Sequence, residues 1–159
     1  MTTTLEPILA EHPFCAGLAQ RYIELMTGCA SNVKFNAGEI IFRTGEEANR
    51  FYIVRHGDVA IEIPDPVRGR IVIQSIHEGE VLGWSWLVPP YRWEFDARAT
   101  SMVRALALDG ACLRGKCEEN SDLGYELLKR VAQVMADRLA SARLQLVDLF
   151  GKARTAERA

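Results

Sequence analysis

A chain of 159 residues that is 48% hydrophobic and 25% charged has the composition of an ordinary globular domain, long enough to bury one core. Its formal charge of −2 leaves no electrostatic footprint for nucleic acid or an anionic membrane surface as partner. The opening Met-Thr-Thr-Thr-Leu-Glu has no basic stretch leading into an apolar one, and no apolar run approaches the ~18–20 residues that span a bilayer. A cytoplasmic protein with no membrane partner is expected.

Residues 5–28 carry apolar groups at helical spacing, with Leu18, Tyr22, Leu25 and Met26 on one face of a helix ending near Gly28. Strand patterns follow at Val33–Phe35, Glu39–Arg43, Arg50–Arg55, Val59–Ile63 and Arg70–Ile76. In the last of these, Ile71, Ile73 and Ser75 alternate with Val72, Gln74 and Ile76. Turns are marked by Thr44-Gly45-Glu46, Gly57, Pro64-Asp65-Pro66, Arg68-Gly69 and the His77–Gly83 stretch. An aromatic segment closed by Pro89-Pro90 precedes two more strands, Trp93–Ala99 and Met102–Ala107. So many short strands between glycine turns predict a mainly β protein with flanking helices. The spacing argues for an antiparallel roll or barrel.

Helical spacing then returns. Asp109 is placed to cap a short helix through Cys117, and Asn120, Ser121 and Asp122 offer caps for a longer one over about 120–150. Within it Leu128, Ala132, Met135, Leu139, Ala142, Leu146 and Leu149 keep a strict 4-3 spacing. Thirty helical residues extend about 45 Å, further than a small roll can cover, so this seam is expected to meet a second copy in a homodimer. Small Ala132 and Ala142 would let two backbones approach. Residues 1–150 thus read as one domain, and 151–159 as a polar, flexible tail. Cys15, Cys29, Cys112 and Cys117 form no CxxC pair, lack zinc-site spacing, and are too scattered for an iron–sulfur cluster. They read as small buried hydrophobes rather than redox sensors.

Phe35, Gly38-Glu39, Phe42, Gly45-Glu46, Phe51-Tyr52-Ile53-Val54, Gly57, Val59 and Gly79-Glu80-Val81-Leu82-Gly83 appear in an order that resembles the cyclic-nucleotide-binding domain family, of the cyclic-AMP receptor protein type. The flanking helices fall in the same order, and the resemblance implies an antiparallel double-stranded β-helix, a jelly-roll-like β-roll over about residues 31–108. The resemblance implies a phosphate-binding cassette between two strands, in which a short helix offers backbone N–H groups to the cyclic phosphate. It also implies a glutamate after the cassette glycine for the ribose hydroxyl, and an arginine about ten residues on for the phosphate. Here the segment runs from Gly83 through Trp84, Ser85 and Trp86 to Arg92, Trp93 and Arg98. Trp84 stands at the glutamate position, and Trp93 or Glu94 at the arginine position. Both hallmark residues are missing.

What remains at the degenerate cassette is the amides of Trp84 to Trp86 at a helix N-terminus, the Ser85 hydroxyl, and the charges of Arg92 or Arg98. For each arginine a surface salt bridge with Glu94 or Asp96 is the plainer expectation. Trp84, Trp86, Tyr91, Trp93 and Phe95 either line an aromatic ligand pocket or fill the roll, core filling being favoured.

A non-catalytic regulatory or sensory ligand-binding module follows, with no cofactor, dimerising through its final helix and passing its signal to a separate protein partner. Cyclic nucleotide is disfavoured by the missing glutamate and arginine. A winged helix-turn-helix of the usual ~60–70 residues finds no room after the helix, so no nucleic acid is expected as partner. The alternative is a structural or interaction subunit whose pocket is filled by aromatic side chains. Less favoured is a cupin-type enzyme, because His12, His56 and His77 sit in separate segments and form no metal-binding HxH pair.

Overall fold

The computed structural model describes residues 5–158. It divides into two compact units with the boundary after Glu126. The first begins with helix α1 (Glu6–Glu11), a 3-10 turn (Pro13–Cys15) and helix α2 (Gln20–Thr27). The single helical stretch read over residues 5–28 is therefore broken. Pro13 lacks a backbone N–H, and Gly17 adopts a φ of +82°, so neither continues a helix.

Eight strands follow: β1 (Ala30–Phe35), β2 (Ile40–Phe42), β3 (Arg50–His56), β4 (Val59–Asp65), β5 (Gly69–Ile76), β6 (Val81–Leu82), β7 (Asp96–Ala99) and β8 (Val103–Asp109). They form two four-stranded sheets, β1-β8-β3-β6 and β2-β7-β4-β5, with antiparallel neighbours throughout. This is the β-roll expected from the turn spacing. Strand β6 has too few residues to show a period and was legible only as part of a turn. Strand β7 begins at Asp96, later than the predicted Trp93.

The interior between the sheets holds Phe42, Tyr52, Val54, Val59, Ile61, Ile76, Leu82, Trp93 and Val103. Four alanines, Ala97 and Ala99 of β7 and Ala105 and Ala107 of β8, face the same cluster and leave room for these larger rings. Strict alternation fails in β5. Ile61 pairs with Gln74 and Glu62 with Val72, which leaves Ile73 as the extra residue of a bulge. The bulge lets Ile73 and Ile76 both pack against the interior, although the simple pattern put them on opposite faces. Two glycines are required by space. A Cβ at Gly57 (φ +92°) would lie 2.2 Å from the Met102 carbonyl oxygen, and one at Gly83 (φ +73°) 2.4 Å from the Trp93 ring.

Helix α3 (Gly110–Glu119) starts where predicted, with the Asp109 carboxylate accepting from the Cys112 N–H at 2.8 Å. Helix α4 (Ser121–Arg158) is 38 residues long, about 57 Å. It runs through Gly151 to Arg158, where a flexible tail was expected over 151–159; Ala159 lies outside the described residues. One interior glycine costs only about 1 kcal/mol, and lysine, alanine, arginine and glutamate beyond it favour helix.

Candidate functional site: the degenerate cassette

Gly83 leaves β6 and opens the cassette segment. Trp84 to Leu87 make a single turn, closed by the Leu87 N–H donating to the Trp84 carbonyl at 2.9 Å, and Tyr91 N–H closes a second onto Val88 at 3.0 Å. The short helix expected here does not form among the described residues. Pro89 and Pro90 follow without a backbone donor between them, so the turn cannot propagate. No regular helix N-terminus gathers the amides of Trp84, Ser85 and Trp86.

Trp93, one of the two residues read at the arginine position, lies inside the roll. Its ring is 3% exposed and lies on Phe42 with centroids 3.7 Å apart and planes 7° from parallel. It also lies against Gly83, whose missing side chain makes space for the indole. The backbone holds the same residue: Trp93 N–H donates to Glu46 O at 3.0 Å, and Gly45 N–H donates to Trp93 O at 2.8 Å. Ring and main chain together wedge Trp93 between the β2–β3 turn and the cassette glycine.

The remaining rings diverge. Trp86 is fully buried, stacked on Phe51 at 5.0 Å, and Phe51 in turn meets Phe14 edge-on at 5.2 Å. The Trp86 indole Nε1 is buried with no hydrogen-bond partner, which costs free energy that ring packing must offset. Trp84, read at the glutamate position, is half-buried and meets the Phe95 ring edge-on at 6.2 Å. Ser85 is buried.

Neither candidate arginine points into the cassette. Arg92 is exposed and donates through Nη1 to the Gly45 carbonyl at 2.9 Å. Arg98 lies between Ala97 and Ala99, which face the interior, so its side chain projects from the outer face of β7. It meets Glu62 of β4 through Nε at 2.9 Å and Nη2 at 3.2 Å. Glu62, rather than the expected Glu94 or Asp96, is its partner. Ala60 pairs with Arg98 and Glu62 with Asp96, so Glu62 is the diagonal neighbour of Arg98 on one face.

That face carries a compact charge network that sequence reasoning missed. Glu62 and Asp96 are both buried, with Arg70 at 3.8 Å from the first and 3.9 Å from the second. The Thr44 N–H and hydroxyl donate to Asp96 Oδ1 at 2.7 and 3.0 Å. Two carboxylates face two arginines, so the outer face of the second sheet is locked without net charge. The signal was present in the Asp96-Ala97-Arg98-Ala99 alternation, small apolar residues in and charged residues out.

A second missed constellation ties the cassette to α3. The Arg114 guanidinium lies 4.1 Å over the Tyr91 ring and donates through Nη1 to the Trp86 carbonyl. Tyr91 presents its ring from a positive φ of 58°. The cysteines also require correction: Cys29 and Cys112, read as isolated small hydrophobes, are joined by a disulfide, in which Cys15 and Cys117 take no part. No local spacing announces the pair. It follows from the pairing of β1 with β8, which sets Ala30 opposite Leu108 and so brings Cys29 near the start of α3.

The proposed dimer seam is exposed along its length. Leu128 is 56%, Met135 38%, Leu139 54%, Leu146 55% and Leu149 64% exposed, and Ala132 and Ala142 are exposed with them. The ring of His12 braces the N-terminal segment, with Nε2 meeting the Val54 carbonyl at 2.9 Å and Nδ1 accepting from the Phe14 N–H at 3.1 Å. Burial holds its pKa below the ordinary value, against the opposing pull of the Val54 carbonyl. His77 instead pairs with Asp58 at 2.7 Å in an exposed turn, and this hydrogen bond raises its pKa. Among the described residues no group of three or more His, Cys, Asp or Glu side chains is placed to hold a metal ion, and no helix is long and apolar enough to cross a membrane.

Comparison with known proteins matches this arrangement. The family model for the cyclic nucleotide-binding domain covers residues 32–120. A Rhodopseudomonas palustris protein named as a potassium channel is 29% identical over 117 residues, covering 73% of this chain and 27% of the relative. A "CRP-like cAMP-activated global transcriptional regulator" of Mycobacterium tuberculosis is 26% identical over 146 residues, covering 92% of this chain and 63% of the relative. The chain thus spans less than two thirds of either relative. A crystal structure named for cyclic nucleotide binding, from Geobacter metallireducens, superposes with a TM-score of 0.77 at 27% identity, over 87% of this chain and 99% of that one. The matched family model covers more than half of the chain: the chain belongs to the cyclic nucleotide-binding domain family.

Proposed function

We propose that this protein is a non-catalytic regulatory module of cyclic nucleotide-binding fold whose cassette has lost its nucleotide chemistry. It works in the cytoplasm without cofactor, dimerises through α4 and signals to a separate protein rather than to DNA. The observation that carries this reading is Trp93, stacked on Phe42 and seated on Gly83 where the family's cassette arginine would act. A charge-assisted hydrogen bond contributes about 1.5–3 kcal/mol, so losing the arginine and glutamate together weakens nucleotide binding roughly 100-fold to more than 10,000-fold. Arg92 and Arg98 do not replace them, since both are engaged elsewhere. A catalytic reading finds no support in the histidines: His12 is held by two protein hydrogen bonds and His77 by Asp58. Metal analysis of the purified protein tests that point, and stoichiometric metal would favour the enzyme.

The Trp93–Phe42 stack also favours a second reading, a structural subunit whose pocket is permanently filled by its own rings. Native mass spectrometry of the purified protein separates the two. A co-purifying small molecule supports a sensor with an altered ligand, and a bare dimer supports the filled pocket. Titration with cyclic AMP, followed by tryptophan fluorescence and calorimetry, is expected to show no saturable change below about 100 µM. Micromolar binding would overturn the degenerate-cassette proposal.

A further inference from the structure

All eight strands lie between Cys29 and Cys112, so their bond closes the whole roll into a ring, with 83 residues of sequence separation and a Cα–Cα distance of 5.8 Å. Cys29 sits in the turn between α2 and β1, and Cys112 in the first turn of α3. Their proximity does not depend on the bond. Asp109 N–H donates to the Cys29 carbonyl at 2.9 Å, while the Asp109 carboxylate caps Cys112 at 2.8 Å. Two thiols at these positions would already face each other. The other two cysteines are placed differently: Cys15 is buried, and burial pushes up the pKa of the half-buried Cys117 thiol.

We propose that Cys29–Cys112 is a reversible thiol–disulfide switch that fastens α3 to the roll when oxidised and releases its first turn when reduced. The oxidant is a small-molecule disulfide such as oxidised glutathione. Cys112, half-buried where Cys29 is 9% exposed, is the accessible partner. Its thiolate attacks the reagent, breaking the reagent's S–S bond, forming a mixed disulfide and releasing one reagent thiolate. The Cys29 thiolate then displaces the second reagent thiolate from Cys112, closing the protein bond. Two electrons pass to the reagent, and its two leaving thiolates take up protons in place of those lost by the protein. Reduction runs the same steps backwards.

The consequence lies in what α3 holds. Arg114 of α3 grips the cassette at the Trp86 carbonyl and the Tyr91 ring, and a single residue, Asn120, separates α3 from α4. With the bond open, the start of α3 loses its covalent link to the roll, and the Asp109 cap and the Gly110 N–H donated to Asn49 O at 2.7 Å become able to open transiently. This device stands apart from the ligand reading, because the link lies outside the cassette.

The test uses the full chain with Cys15→Ser and Cys117→Ser, equilibrated natively in glutathione buffers from reducing to oxidising. Alkylation in denaturant followed by intact mass should show two alkyl groups at the reducing end and none at the oxidising end, reversibly. Hydrogen exchange should be about tenfold faster or more at the first turn of α3 in the reduced form, with the middle of β8 little changed. The oxidised form's unfolding constant should be smaller by on the order of a thousandfold. Cys112→Ser should exchange like the reduced protein. Two thiols that stay alkylatable under oxidising conditions, a bond that native glutathione cannot reduce, or equal α3 exchange in the two states would each overturn the switch. None of these readouts involves a ligand, so their failure leaves the cassette proposal untouched.

Discussion

The roll and the final helix both carry regular apolar patterns, yet they use them in opposite ways. In the roll, Val54, Val59, Leu82, Ala97 and Val103 are all fully buried, and even the indole of Trp93 is closed off by Phe42 and Gly83. Along α4, Leu139, Leu146 and Leu149 remain more than half exposed. The roll completes its own core, because two sheets offer each other facing surfaces. A helix alone cannot cover an apolar stripe on its own surface. The first pattern reports a finished interior, and the second an exposed apolar face on which the proposed dimer rests.

The sharpest way to break this contrast is at Trp93. Trp93→Ala removes a buried ring and should cost about 3–5 kcal/mol in urea denaturation, as deletion of a large core side chain does. A cost under about 1 kcal/mol would mean that the ring is a replaceable pocket occupant rather than core. Leu139→Glu probes the other region: a charge buried in each helix of the dimer contact should cost several kcal/mol of association. Light scattering should then show monomer, with the near-UV circular dichroism of the roll unchanged. A wild type already monomeric at micromolar concentration would remove the seam's role.

Arg98→Met tests whether the outer face of the roll is as finished as its interior. Glu62 would lose its closest cation while Arg70 stays at 3.8 Å, so the expected cost is about 1–3 kcal/mol. Denaturation above pH 6 reads it, and no change would make the network dispensable. The smallest effect concerns His12, which joins the N-terminal segment to β3. Its folded pKa lies below the ordinary 6.5, so the unfolded chain binds more protons in the interval between the two values. Its contribution is therefore complete above about pH 6.5 and declines as the pH falls through that interval. His12→Gln should flatten this slope and cost about 1–2 kcal/mol at pH 7.5. An unchanged slope would reassign the acid sensitivity.

Much of the architecture was legible because it rests on local rules. Strand runs, the Asp109 cap and the 4-3 spacing of α4 each follow from periods and turn chemistry within a few residues. The family resemblance was visible for the same reason, since its glycine turns recur in order along the chain. The end of α4 was misplaced because a polar tail was read as loose, although most of its residues favour helix. The β5 bulge was hidden because the extra residue is defined by the partner strand.

Three matters belonged to the tertiary structure alone. Trp86 and Trp93 are chemically alike and seven positions apart, yet one packs on Phe51 and the other on Phe42 inside the roll. Arg98 found Glu62 across β7 and β4, and Cys29 found Cys112 across the β1–β8 edge. The sequence by itself determined the order of strands and helices and the family, since these are written in spacing and residue type. Which ring fills the interior, which carboxylate pairs with which arginine and which thiols meet depended on register between strands far apart in the chain. That register emerges only when the two sheets close on a shared core.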